Sequence, residues 1–537
     1  MPGHEALMKY DAIIIGGGHN GLVNGAYLAK AGLKTLILEK RPFVGGAAIT
    51  EELLPGYHFT TFSYAISLIR PDIVEDLQLV KHGMMVLPFS RSFQPGYNGE
   101  YLLMGHDKDE NFHEISRYSR SDAESYRDLG FLFDRVCFAL KPLLDAIPPN
   151  AVSQRPEDIR HYQEVESYLK NLPGDVRDFI DRLWNESAAA ILDDYLDCDL
   201  LKSNIASSAI IGSMISPRDK DSGIVWLLHK MGEYDGVFGD WGFHKGGNGG
   251  FTQVLAKAAE AWGATVMTGH GVQRVLYDGG RVEGVELDNG QELRADVVVS
   301  ALDPKRTFTQ LVNANDMPAP LTEAISHYKF QGSASKVNFA LRDIPTFPAL
   351  RGRIDPFQGF VNVGPSMQYL EDAFADAKAG RFSRKPFVDC CVQSTVDPDM
   401  SPPGKHVMSC FVMYTPYELS GTSWDAERDH LGDTVQTTLD EFFPGFHDLV
   451  EHREVVTPLD IENVTGLTEG NIFMGELFSD QMFLNRPAPG WNQYRTPIEG
   501  YYQCGSGTHP GGCVMGAPGK LAARQVLNDR KQTSEAV

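Results

Sequence analysis

Apolar residues fall into two periods along the chain, and each change of period predicts an element. Ala12 to Ile15 is an unbroken apolar run suited to a buried parallel strand. Leu22 to Ala31 has helical spacing and is stopped by Gly32; Lys34 to Leu38 predicts the next strand, with Glu39 at its end. Residues 108 to 232 read as helix-rich, with amphipathic stretches such as Asp122 to Ile147. Glu186 to Ser216 is apolar and rich in small residues, which suits internal packing or the wall of an apolar cavity.

A glycine cluster, His244 to Phe251, leads into a predicted helix from Thr252 to Trp262. A strand follows, then hairpins turning at Asp278-Gly279-Gly280 and at Asn289-Gly290, and a buried strand around Val297 to Val299. Between 311 and 455 the runs Ala334–Ile344, Lys385–Val396 and Lys405–Thr415 alternate as an antiparallel sheet would, and a helix follows from about Asp425 to Phe443. Near the end a short strand at Tyr501 enters a glycine-rich loop and a helix leaves it, from Val514 to Leu527. Asn528 to Val537 reads as a frayed polar tail.

The glycines give this pattern its chemistry. Gly16, Gly18 and Gly21 fit G-x-G-x-x-G: one for a tight turn, one for close approach of backbone to a pyrophosphate, one for packing of helix on strand. With 53 glycines in 537 residues, that spacing arises by chance about 0.5 times, so the flanking strand, helix and acid carry the reading. Glu39 is positioned to accept from a ribose hydroxyl. The second glycine-rich loop, Tyr501 to Lys520, also opens a helix, whose N-terminal amides favour negative charge such as that of a reduced flavin. Two such sites suit one long ligand, FAD, with its adenine half at Gly16–Glu39 and its ring near Gly505–Met515.

Composition narrows the partners. A formal net charge of −23 argues against nucleic acid and against electrostatic docking on anionic lipid. No apolar run approaches the ~18 residues of a membrane span. Met1 to Lys9 shows neither a signal-peptide core nor an Arg-rich leader, so the reading is cytoplasmic. The seven cysteines contain no C-x-x-C; Cys390 and Cys391 read as small core residues, and Cys504 and Cys513 as residues packed beside a cofactor rather than a thioether link or disulfide. No zinc spacing pairs cysteine with histidine, and no metal is predicted.

Across nearly its whole length the sequence resembles the flavin-containing amine oxidase and phytoene desaturase superfamily. The matching segments are GGGHNG, LILEKRPFVGGAA, GGNGGFTQVLAKAAEAWGATV, ADVVVSA and GSGTHPGGCVMGAPG. Within it the chain looks most like the phytoene-desaturase-like group, which includes carotenoid desaturases and retinol saturases.

The resemblance implies an α/β fold: a Rossmann-like FAD-binding domain from residues 1–90, 240–310 and 456–537, with a parallel sheet discontinuous in sequence. Residues 91–239 and 311–455 would form a second α+β substrate domain with a mostly antiparallel sheet and a helical cap. It also implies that Gly16, Gly18 and Gly21 hold the pyrophosphate and Glu39 the adenosine ribose. Gly45, Gly46 and Ala47 would pass the diphosphate and ribityl chain, and the Val272 backbone would meet adenine. Ser300 and Ala301 would complete that end, and Gly505, Gly507, Val514 and Met515 would flank the ribityl chain and ring. Many members carry Arg or Lys where Ala47 stands; Arg41 is the residue that would supply that charge.

These features predict an FAD-dependent oxidoreductase acting on an apolar long-chain or isoprenoid-like substrate at a C–C bond. The alternatives are a flavin amine oxidase, with Trp491, Tyr501 and Tyr502 as nearby aromatics, and an FAD-holding scaffold without turnover. There is no second G-x-G-x-x-G unit and no redox cysteine pair, so the expected electron acceptor is oxygen, a quinone or a protein rather than nicotinamide. Peripheral membrane contact stays open for a lipid substrate, its sign being an apolar patch at a cavity mouth. His509 reads as orienting its loop or as a base, and Lys245 as a surface residue or a flavin-side lysine. Glu476, Asp480 and Arg486 read as substrate contacts or mutual partners; no catalytic residue is assigned.

Overall fold

The computed structural model describes residues 9–234 and 236–535, so most of the Met1–Lys9 stretch and the last two residues lie outside it. Two seven-stranded sheets organise the chain. In the first, Lys9–Ile15 runs parallel to Thr35–Leu38 on one side and to Glu292–Ser300 on the other, with Ile13 opposite Leu36 and Val298. Thr265–Met267 extends it beyond Thr35–Leu38, and Tyr501–Gln503 adds in parallel to Glu292–Ser300. The hairpin Val272–Asp278 and Arg281–Leu287 completes it in antiparallel fashion. The strand core is apolar on both faces because helices cover one side and further chain the other.

The helix His19–Lys30 crosses that sheet between the helices Gly247–Ala261 and Ala517–Glu535. Gly25 permits the close crossing: a Cβ there would lie 2.5 Å from Ile37 Cδ1. Two boundaries differ from the sequence reading. The glycine cluster does not precede its helix but forms its first turns, because Gly246 and Gly247, at φ +78° and +73°, start it early. The C-terminal helix starts later than Val514 and runs through Glu535, so residues 528–535 are helical rather than frayed. Asp529 anchors them, accepting from Arg495 Nη2 at 2.6 Å and from Tyr502 OH at 2.9 Å.

The second sheet has the order Val450–Val456, Ala334–Leu341, His406–Met413, Phe387–Cys391, Gly359–Val363, Arg91–Pro95, Tyr101–Gly105. Only Gly359–Val363 and Arg91–Pro95 pair in parallel. One face sends Val337, Phe339, Val388, Cys390, Met408, Cys410 and Val412 into a core with the helix Trp424–Phe442. Helices between Lys108 and Lys230 pack over the opposite side. Among the described residues no helix is long and apolar enough to cross a membrane.

Candidate functional site

The glycine turn builds one wall from backbone. Gly16 has φ +100°, and a Cβ on Gly21 would lie 2.0 Å from the Gly16 carbonyl oxygen, so neither position accepts a side chain. Gly18 faces only Gly46, whose Cα is 3.8 Å from where a Cβ would stand, leaving the backbone approachable. No side chain caps His19–Lys30 and no acid lies in its first turn, so its N-terminal N–H groups suit an anion. The buried Glu39 carboxylate accepts from Gly17 N–H and Arg41 N–H, both at 2.9 Å, which ties the second strand to the turn.

Three polar atoms on this wall are buried without a partner: His19 Nε2, Asn20 Oδ1 and Arg41 Nη1. Burial lowers the His19 pKa to about 4, so its imidazole is neutral. Arg41 Nη2 donates to the Gly46 carbonyl, which aims the guanidinium at the same space. A flat cationic fork beside exposed helix amides fits a diphosphate. Asn20 Nδ2 donates to Ser506 Oγ at 3.2 Å, joining the turn to the C-terminal glycine loop, so the two glycine motifs meet on one cavity.

That cavity, about 490 Å³, extends to the second sheet. There the strand register aligns Lys336 with Phe411, Phe411 with Asp389, and Asp389 with Asn362, one row across four strands. All four line the cavity. Tyr64 lies over the row: Lys336 Nζ is 3.9 Å from its ring centroid, and its hydroxyl donates to Asp389 Oδ2 at 2.8 Å. Lys336 Nζ also donates to Ser409 Oγ, while Asp389 Oδ1 is buried with no partner. Burial pushes Lys336 down to about 7 and Asp389 up to about 7. The surrounding wall is aromatic: Phe360 meets Tyr64, Phe89 and Trp241 edge-on, with centroids 6.2, 4.9 and 5.8 Å apart.

Of the residues singled out from the sequence, Gly16, Gly18, Gly21, Glu39, Arg41, Gly46, Ala47, Ala301 and Val514 line this cavity. Others lie behind its wall. Gly45 donates its N–H to Gly17 O, and Val272 packs its side chain under the first sheet. Ser300 shares a hydrogen bond with Thr307 Oγ1. Gly505 and Gly507 serve chain packing, since Cβ atoms there would lie 2.6 Å from Leu302 O and 2.3 Å from Pro304 Cδ. Met515 is buried, its carbonyl accepting from Arg70 N–H at 3.2 Å.

The residues weighed for chemistry sit elsewhere. His509 donates from Nε2 to Leu143 O at 2.8 Å, and burial lowers its pKa to about 4. Lys245 is half-exposed and pairs with Asp399. Arg486 is fully buried and grips main-chain carbonyls, including Ser506 O at 2.9 Å and Phe473 O at 2.8 Å, thereby holding the flavin-loop segment. Glu476 is buried beside Asn471, and Asp480 pairs with Lys329. Tyr501 and Tyr502 give their hydroxyls to Thr307 O and Asp529, and Trp491 packs in the first sheet's core, so none of them faces the cavity. Cys504 and Cys513 are both free thiols, and Cys513 lines the cavity near His229, whose Nε2 is 4.0 Å from its sulfur.

Sequence reasoning missed Lys336, Asp389 and Tyr64. The signal was present in two of them, as single charges inside otherwise apolar strand runs.

A family model described as flavin containing amine oxidoreductase matches residues 21–527. A rat protein, pyridine nucleotide-disulfide oxidoreductase domain-containing protein 2, is 37% identical, covering 97% of this chain and 94% of its own. A lycopene-forming phytoene desaturase from Paracoccus sp. is 26% identical over 98% of this chain and 99% of its own. Among solved structures, an oxidoreductase from Methanosarcina mazei superposes with a TM-score of 0.61 at 17% identity, over 97% of this chain and 100% of that one.

Proposed function

The chain belongs to the flavin-containing amine oxidoreductase family, and on that footing we propose that it transforms an apolar long-chain or isoprenoid-like substrate by hydride transfer at a C–C bond. The cofactor is FAD. The observation that carries the substrate class is the aromatic-walled cavity continuous with the glycine turn. The likeness to a phytoene desaturase supports the same reading. Trp491, Tyr501 and Tyr502, the aromatics weighed for an amine oxidase, are not on the cavity wall.

When bound, FAD supplies a two-electron hydride acceptor or donor. The chain's own residues do the rest. Gly16, Gly18 and Gly21 would admit the diphosphate against backbone, with Arg41 beside it and Glu39 bracing the turn. Phe360, Phe89 and Trp241 would hold the substrate chain and exclude water. Lys336 Nζ, poised at about 7, would take up or return the proton that accompanies hydride transfer. Electrons would pass on to oxygen, a quinone or a protein acceptor.

The test is anaerobic addition of prenyl compounds, and separately of amines, to the FAD-loaded protein while the flavin absorbance is followed. Bleaching by a prenyl compound, or reoxidation of the reduced flavin by a polyene, supports the proposal. Bleaching by amines alone overturns it in favour of amine oxidation, and a flavin that nothing bleaches or reoxidises overturns it in favour of a scaffold.

A further inference from the structure

We infer that the substrate's apolar chain carries a hydroxyl group, and that Asp389 is the residue selecting it. This rests on the long-chain reading above and goes beyond it by naming the polar end.

Asp389 stands in the middle of a buried sheet face, 8% exposed, with its neighbours in register Phe411 and Asn362. Tyr64 OH occupies one carboxyl oxygen at 2.8 Å. The other, Oδ1, is buried, has no partner, and belongs to a residue of the cavity wall. A pure hydrocarbon filling the cavity would strip water from that oxygen and give it nothing in return. Sites built with buried hydrogen-bonding groups reject ligands that lack the matching group far more sharply than apolar pockets reject an extra one.

The required group follows from what surrounds Oδ1. Burial raises Asp389 to about 7, so both its carboxylate and its acid form are populated near neutrality. A hydroxyl donates to the first and accepts from the second, and is satisfied by either. An ammonium only donates, and it would share the row with Lys336, a like charge whenever that amine is protonated. A carbonyl only accepts, and would face the carboxylate with lone pair against lone pair.

The experiment uses three probes of one chain length, farnesol, farnesene and farnesylamine, titrated anaerobically into the FAD-loaded protein and read as perturbation of the flavin absorbance. Farnesol is expected to half-saturate at about 100-fold lower concentration than farnesene. Asp389→Leu should cut that preference below about fivefold, and Asp389→Asn, which keeps shape and hydrogen bonding, should retain part of it. The flavin content of each variant checks that it has folded. Equal binding of farnesol and farnesene, or a preference that survives Asp389→Leu, overturns the inference while leaving the long-chain reading standing. Tightest binding of farnesylamine overturns the hydroxyl assignment. A flavin that responds to none of the three contradicts the long-chain reading itself, and this inference with it.

Discussion

The two ends of the cavity are built from different materials. At the first sheet the wall is backbone: glycines without room for side chains, helix amides, and one braced carboxylate. At the second sheet it is side chain, with Lys336, Phe411, Asp389 and Asn362 projecting from four strands and Tyr64 laid across them. A backbone wall serves any ligand with the right phosphates, so it suits a cofactor shared by many enzymes. A side-chain wall changes with single substitutions, so it is where one substrate is told from another.

The strongest break of that contrast is Gly21→Val. With 2.0 Å between a Cβ and Gly16 O, the turn must open, and flavin retained through purification should fall below about a tenth of the wild-type amount. Arg41→Met removes a charge-assisted contact and should weaken FAD about 10- to 100-fold by equilibrium titration, leaving substrate preference unchanged.

The substrate end should answer to pH instead. Asp389 titrates at about 7 in the folded chain against an ordinary 3.8, so the folded state holds a proton that the unfolded state has released between those values. Stability from this group is complete below 3.8 and drains away as pH rises toward 7. Urea unfolding of Asp389→Asn, which lacks the titration, should therefore gain on wild type by ~3 kcal/mol from pH 4 to pH 7. Parallel curves would break the assignment. The smallest effect belongs to His509→Gln: its imidazole serves a carbonyl in the last turn of the helix Arg120–Leu144, outside the cavity, so turnover should stay within about threefold of wild type.

The same contrast explains what the sequence made legible. The glycine turn is local: strand, turn, helix and Glu39 lie within one βαβ unit, so the spacing read together with its flanking elements locates them. The antiparallel run around Ala334–Leu341, Phe387–Cys391 and His406–Met413 was likewise readable from alternation. The row was not, because aligning Lys336 with Phe411 and Asp389 requires the register between strands dozens of residues apart, which no local pattern encodes. Gly505 and Gly507 show a second use of glycine that spacing does not encode: their missing side chains accommodate Leu302 and Pro304, while Ser506 between them lines the cavity. The C-terminal helix outran its predicted end because Arg495 and Tyr502, distant in sequence from its last turns, hold Asp529.

Chemistry at a C–C bond by a flavin enzyme of this family is read most directly from the structure of the product. Farnesol would be incubated with the FAD-loaded protein and an electron acceptor, and the recovered compound examined by NMR. An altered pattern of C=C bonds with the hydroxyl intact is expected. An aldehyde in place of the hydroxyl, with every C=C bond unchanged, would contradict it.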